Sequence, residues 1–283
     1  MLYSFYFIQL ATSLGTSSLF DFVFGFQKYC LCRCGLARHI SDNVRAGRLL
    51  GGEFIYPHQF PWLATVNAGS SSAVGSLISD RHIISAASPL YGFSAGNLTV
   101  TLGAHDRCGE GDPALVNSVS SLSIHPGYSP TNGDNDIALL RLRHTVAFND
   151  FVSPVCMPLY GSEERGRIAW TVSWTEYPGN STCTPRVTSL PMLSKRSCLA
   201  ATDEPALTTA DKGCLGPLGS KNVICKSDVG APVMTRWTSG TPFRLVGVVS
   251  LASCQELNPP LYTRINAHYG WIHSHVRNDC QCF

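Results

Sequence analysis

The chain has 283 residues, enough for one large domain or two small ones, with 21 Lys+Arg against 19 Asp+Glu and a formal net charge of +2. That balance excludes a strongly basic nucleic-acid or polyanion binder. Only 14% of residues are charged, below the ~25% of an average soluble domain, and 25 Gly and 17 Pro fit an all-β chain rich in turns.

In chain order, residues 1–15 are apolar and uncharged, and end on the small residues Ser13 and Gly15. They read as a secretory signal peptide that lacks the usual basic start. The competing reading is a membrane anchor running through Phe26, which would have to bury Asp21 near the bilayer centre at a cost. Residues 16–48 form a pro-segment with three cysteines and four arginines, too short for a core of its own. From residue 49 to 283, short alternating apolar runs recur between turn residues: Trp62 to Val66, Ser76 to Ile78, His82 to Ser85, Leu98 to Leu102, Ile137 to Leu142, Thr171 to Trp174 and Arg244 to Val249. Period-two alternation predicts antiparallel strands of a barrel or sandwich. Asn266 to Val276 has helical spacing, with Trp271, Ile272 and Val276 on one face.

The twelve cysteines indicate an oxidising compartment. No pair of Cys-x-x-Cys motifs and no Cys/His cluster offers zinc-like ligand spacing. Asn97-Leu98-Thr99 and Asn180-Ser181-Thr182 are glycosylation acceptors in a secreted chain.

A set of ordered motifs carries more information. Arg48-Leu49-Leu50-Gly51-Gly52 precedes Phe60-Pro61-Trp62; then come Gly75 to Ile78, Ile84-Ser85-Ala86-Ala87, Asn135 to Leu140, Val152 to Cys156, the segment Cys225 to Pro232, Leu261 to Arg264, and Trp271-Ile272. Together they resemble the trypsin/chymotrypsin-like serine protease family over roughly four fifths of the chain. The resemblance implies two antiparallel six-stranded β-barrels with a C-terminal helix, and a site between the barrels.

Peptide hydrolysis on this fold needs His, Asp and Ser in that chain order. By the resemblance those positions hold Ser88, Asp136 and Val229, so Asp136 alone is retained. A hydroxyl is no general base at neutral pH, and a valine has no lone pair for attack. Loss of the serine or histidine alone costs about 10⁶ in turnover in a related protease system. Ser227 stands where a glycine N–H normally helps line the oxyanion hole. The former specificity pocket carries Val223 at its base, Ala252 and Pro260 at wall glycines and Leu251 at the wall tryptophan, which reads as a filled pocket. Ala104 replaces the first carboxylate of the family's calcium loop, so neither a metal nor any other cofactor is expected.

The resemblance also implies three disulfides: Cys34–Cys156, Cys198–Cys214 and Cys225–Cys254. Two family bridges are missing at both ends, at Ala73/Pro89 and at Ala169/Thr235. Cys30, Cys32, Cys108, Cys183, Cys280 and Cys282 remain, and six cysteines allow 15 pairings. Arg48, Leu49 and Asp228 keep the parts of an activation switch, in which a cut after Arg48 frees Leu49 to pair with Asp228. The expectation is a secreted, non-catalytic homologue that binds an extracellular protein, such as an active serine protease or its substrate, as cofactor, decoy or regulator. The competing expectations are an endopeptidase with an unconventional site and a polyanion-binding homologue, which the +2 charge disfavours.

Overall fold

The computed structural model describes residues 30, 32–38, 53–109, 114–162, 167–175, 183–201, 209–216, 223–254 and 258–282. The signal-peptide reading, Arg48, Leu49 and Asn180 lie outside the described residues.

Six strands close the first barrel: β2 (Leu63–Ala68), β3 (Ser71–Leu77), β4 (His82–Ser85), β5 (Leu98–Leu102), β6 (Leu115–Ile124) and β7 (Ala138–Leu142), in the order β2-β3-β4-β7-β6-β5. Alternation explains them. In β5, Leu98, Val100 and Leu102 are buried while Thr99 and Thr101 are less so, the pattern of a strand with one face on a core.

The second sheet contains β1 (Glu53–Phe54), β8 (Ile168–Ser173), β9 (Arg186–Pro191), β10 (Lys212–Cys214), β11 (Pro232–Thr235), β12 (Arg244–Leu251) and β13 (Leu261–Arg264), in the order β1-β9-β8-β11-β12-β13-β10. It therefore has seven strands where six are expected, because the two-residue β1 adds to the edge of β9. Its other six strands close through a single bridge, Met192 to Leu215, just beyond the ends of β9 and β10. Central β12 is buried along nearly its whole length and pairs on both sides, which its run of Leu, Val and Gly allows.

Two short helices complete the described fold. Helix α1 spans Lys195–Ala201 and was not expected; its one buried residue is Cys198, bonded to Cys214. Helix α2 spans Tyr269–Val276 after a 3₁₀ turn at Ile265–His268. It buries Ile272 and Val276, while Trp271 packs edge-on against His125 at 5.1 Å.

Between the barrels sits an aromatic core. Trp62 is fully buried, its ring lies 5.7 Å from Phe60 and 6.1 Å from Phe243, and its Nε1 donates to Met234 Sδ at 3.1 Å. Large side chains of this kind each contribute about 1.5–3 kcal/mol on burial.

All twelve cysteines are paired. Cys34–Cys156, Cys198–Cys214 and Cys225–Cys254 join the expected positions. The six open cysteines pair as Cys30–Cys280, Cys32–Cys282 and Cys108–Cys183. The first two form a double clip between the segment near residue 30 and the C-terminal tail. The tail is also fixed by polar contacts: Asp279 accepts from Ser79 Oγ at 2.7 Å and contacts His82 Nδ1, and Asp80 Oδ1 accepts from the Cys280 N–H at 2.9 Å. The third new bridge links the loop after β5 to the residues before β9, beside an Arg107 N–H to Cys183 carbonyl bond of 3.0 Å. At one of the missing family bridges, the register of β8 on β11 runs Trp170 to Met234; its continuation sets Ala169 opposite Thr235, and both are buried.

Candidate functional site at the barrel junction

The segment Cys225 to Pro232 enters from β10 and leaves into β11. Its centre, Lys226–Asp228, forms one 3₁₀ turn. Asp228 is 1% exposed and its Oδ2 accepts the Cys225 N–H at 2.7 Å, so the carboxylate caps the turn it belongs to. Cys225 is held by Cys254, whose N–H donates to the Ile224 carbonyl at 3.2 Å. Val229 leaves the turn with φ −60° and ψ 129°, and its N–H donates back to the Lys226 carbonyl at 3.2 Å. Ser227 is half-buried beside it.

The turn is clamped against both barrels. The Val229 carbonyl accepts from the Val74 N–H of β3 at 3.4 Å, and the Gly230 N–H donates to the Val249 carbonyl of β12 at 2.8 Å. Gly230 has φ +95°, and a Cβ there would lie 2.1 Å from the Val74 carbonyl oxygen and 2.5 Å from Ser85 Oγ. Only glycine fits that approach.

Asp136, 1% exposed, begins the run into β7 after Asn135, which takes φ +51°. Its carboxylate is well supplied with donors. Oδ1 accepts the Ser88 N–H at 2.7 Å; Oδ2 accepts Ser88 Oγ at 3.0 Å and Ser250 Oγ at 2.6 Å. The structure thus joins Ser88 to Asp136 and docks Val229 on β3 through the Val74 N–H, with its neighbour Gly230 pressed on Ser85. Sequence reasoning missed the other member of this cluster. Lys212 of β10, its side chain 1% exposed, donates from Nζ to Ser250 Oγ at 2.9 Å and to Thr263 Oγ1 at 2.8 Å. Thr263 Oγ1 in turn donates to the Asp136 carbonyl at 2.9 Å. Burial pulls the Lys212 ammonium below its ordinary range, opposed by the charges of Asp136, Asp211 and Asp134.

A second polar pair lies behind it. Asp211 Oδ2 accepts the Asn135 N–H at 2.9 Å and sits 3.8 Å from both Lys212 Nζ and His268 Nε2. Burial would raise this carboxyl, but His268, Thr209, Lys212 and the Asn135 amide outweigh it and hold the group well below the usual carboxylate range. Burial lowers His125, and the nearby His268 lowers it further; their rings lie 4.7 Å apart.

Above the cluster is a cavity of about 360 Å³ lined by Ser88, Tyr128, Asn132, Asp136, Lys212 and Leu251, among others. Leu251 is 42% exposed at its rim. Val223 and Ala252 are buried, and Pro260 is half-buried with its carbonyl accepting from the Leu215 N–H at 3.0 Å. Asn97 is exposed at the end of a 3₁₀ turn. Asp106, Cys108 and Cys183 converge within ligand distance of one another, but both sulfurs are in a disulfide and offer no thiolate to a metal. Ala104, where the family resemblance would put the first carboxylate of a calcium loop, lies just before them in the chain. No helix of the described residues is long and apolar enough to cross a membrane.

A closed six-strand barrel, a second curled sheet, a short C-terminal helix and a polar cluster at their junction define the two-barrel serine protease architecture. The trypsin family model matches residues 49–272, and the chain belongs to that family. It is 30% identical to human transmembrane protease serine 5 over 246 residues, covering 83% of this chain and 53% of that protein. It is 32% identical to phenoloxidase-activating factor 3 of Holotrichia diomphalia over 272 residues, covering 84% of this chain and 76% of that protein. Trypsin-3 of Salmo salar is 30% identical over 238 residues, 82% of this chain and 94% of that protein. The chain therefore spans about half the length of the first of these relatives and most of the other two.

Proposed function

We propose that this chain is a secreted trypsin-family protein that acts by binding and not by hydrolysis, as a cofactor, decoy or regulator in an extracellular proteolytic cascade. The observation that carries the reading is the state of the nucleophile turn. In this fold the oxyanion hole is built from the N–H of the nucleophile and the N–H two residues before it. Here the first of these belongs to Val229 and is bonded to the Lys226 carbonyl, inside a turn that also carries Ser227 in place of the glycine. The side chain at the nucleophile position is a hydrocarbon, and the position of the base is a serine bonded to Asp136. Nucleophile, base and oxyanion donor are all redirected.

The cascade setting draws on kinship with a phenoloxidase-activating factor. Secretion draws on the six disulfides. The partner is an extracellular protein, an active serine protease or its substrate, held by the loops at the barrel ends. The presence of Arg48-Leu49 in the same chain as a buried Asp228 supports a retained cut after Arg48 that changes conformation. After such a cut, the segment around residues 30–38 stays attached through Cys30, Cys32 and Cys34.

One observation favours the rival reading of an unconventional endopeptidase: Ser250 Oγ lies 2.9 Å from Lys212 Nζ. In this arrangement, however, the ammonium donates to Ser250 and the hydroxyl donates to Asp136, so neither group acts as a base toward the other. A broad fluorophosphonate probe separates the two readings. The proposal expects no labelled serine, before or after a cut at Arg48. Labelling at Ser250, or at any other serine, would overturn it.

A further inference from the structure

Replacing the histidine of a two-barrel protease leaves a problem that Ser88 alone does not solve. Asp136 is a carboxylate 1% exposed to solvent, and a buried charge is costly unless it is paired and hydrogen-bonded. Three hydrogen bonds to hydroxyl and amide donors satisfy its lone pairs but bring no opposite charge. The cation comes from the other barrel. Lys212 Nζ reaches Asp136 along two routes that close a ring: through Ser250 Oγ to the carboxylate, at 2.9 and 2.6 Å, and through Thr263 Oγ1 to the main-chain carbonyl, at 2.8 and 2.9 Å. Every hydroxyl in the ring accepts once from Lys212 and donates once toward Asp136, so the proton order is consistent with a charged ammonium and an ionised carboxylate.

We propose that Lys212 is the counter-cation of Asp136, standing in for the imidazole this site lacks, and that the Lys212–Ser250–Thr263–Asp136 ring is a lock that fixes the two barrels together and withholds Asp136 from any incoming base. The lysine comes from β10 and the hydroxyls from β12 and β13, all of the second sheet, while Asp136 precedes β7 of the first barrel. The ring therefore crosses the junction. Lys212 also lies 3.8 Å from Asp211, so its charge faces two carboxylates, of which Asp136 is the one tied to it through both hydroxyls. This assignment rests on the non-catalytic reading only in placing Ser88 at the former base position.

The first test is a double-mutant cycle on the full chain, with Lys212→Met, Asp136→Asn and the pair, read by urea denaturation. Each single change removes one side of the Lys212–Asp136 relation and is expected to destabilise. The pair removes both charges and is expected to recover most of the loss, with a coupling of about tenfold or more in the folded-to-unfolded ratio. Additive losses would overturn the proposal.

The second test needs only one substitution, at an exposed position, and so does not depend on the singles folding. In Ser88→His, the new imidazole is titrated by NMR. The groups around it are Asp136, Lys212, Asp134, Asp211, His125, His268 and Tyr128. With Asp136 already matched by Lys212, the imidazole is expected to titrate at or below the ordinary histidine value of about 6.5. A titration raised by about a unit or more, the mark of a free aspartate partner, would contradict the lock. Fluorophosphonate labelling reads the non-catalytic proposal separately, so the failure of either is distinguishable from the failure of the other.

Discussion

The main-chain N–H of Val229 is bonded to the carbonyl of Lys226 at 3.2 Å, and this closes the turn in which a substrate oxyanion would have to be received. A donor already satisfied within its own turn has to break that bond before it can stabilise charge elsewhere. The turn is in turn held by Asp228, whose carboxylate bonds the Cys225 N–H.

On the proposed reading, restoring two side chains is not expected to restore catalysis. Ser88→His with Val229→Ser is expected to give no hydrolysis of arginine substrates. Ser227 and the Val229–Lys226 bond still occupy the oxyanion region, and Val223, Ala252 and Pro260 still occupy the pocket positions. Steady-state assays with arginyl peptide substrates check this, and robust turnover would refute the account of the turn and pocket.

Gly230 is the tightest backbone position of the junction. Gly230→Ala is expected to destabilise the protein by more than the about 1–3 kcal/mol of a strained backbone alone, because its Cβ would also meet the Val74 carbonyl at 2.1 Å. Gly92→Ala is the control: it has φ +89° with nothing within 4 Å, so it carries the backbone strain without the clash. Equal losses for the two variants in urea denaturation would show that the loop does not dock on β3 as described.

Asp211 makes stability depend on acid. Its carboxyl is held well below the ordinary value of 3.8 in the folded chain, so the unfolded chain binds the proton more readily and folding is favoured above that value. The contribution is complete at neutral pH and is lost as pH falls below about 3.8 toward the lower folded value. Asp211→Asn is expected to lose about 1.5–3 kcal/mol at pH 7, as for hydrogen bonds to a charged group. Its deficit relative to the parent chain should shrink as the pH is lowered through this window. A deficit constant with pH would contradict the assignment.

Asn97 is exposed at the end of a surface turn, so the acceptor Asn97-Leu98-Thr99 is accessible to glycosylation in a secretory host. Treatment with an N-glycosidase is expected to shift the gel mobility of the parent chain, and Asn97→Gln is expected to remove part or all of that shift.

Much of the fold was legible because strand periodicity is local. His82–Ser85 and Leu98–Leu102 were read with the bounds they have, since each alternates cleanly or sits fully in a core. Strand β6 was not read: Leu115–Ile124 carries four serines and an asparagine, and its strand character comes from pairing with β5 and β7. The three new disulfides needed the fold, because Cys30 and Cys280 are 250 residues apart in sequence. Lys212 was missed because a lysine normally reads as surface. A signal was present, however. Lys212 and Cys214 alternate with Gly213, so a residue two before a bridged cysteine shares its buried face. Ser88, Asp136 and Val229 are singled out by motif order alone, and the Ser88–Asp136 bond appears only in the structure; so does the destination of the Val229 amide, which only the backbone path reveals.

The most direct measurement of the central claim is peptide hydrolysis by the full chain after a complete cut at Arg48, against a panel of arginyl, aromatic and small-residue substrates, with active trypsin as reference. The account predicts turnover lower than trypsin's by about 10⁶ or more, the loss that follows from removing the nucleophile or base alone. Turnover within a few orders of magnitude of trypsin, abolished by changing a residue of this chain, would contradict it.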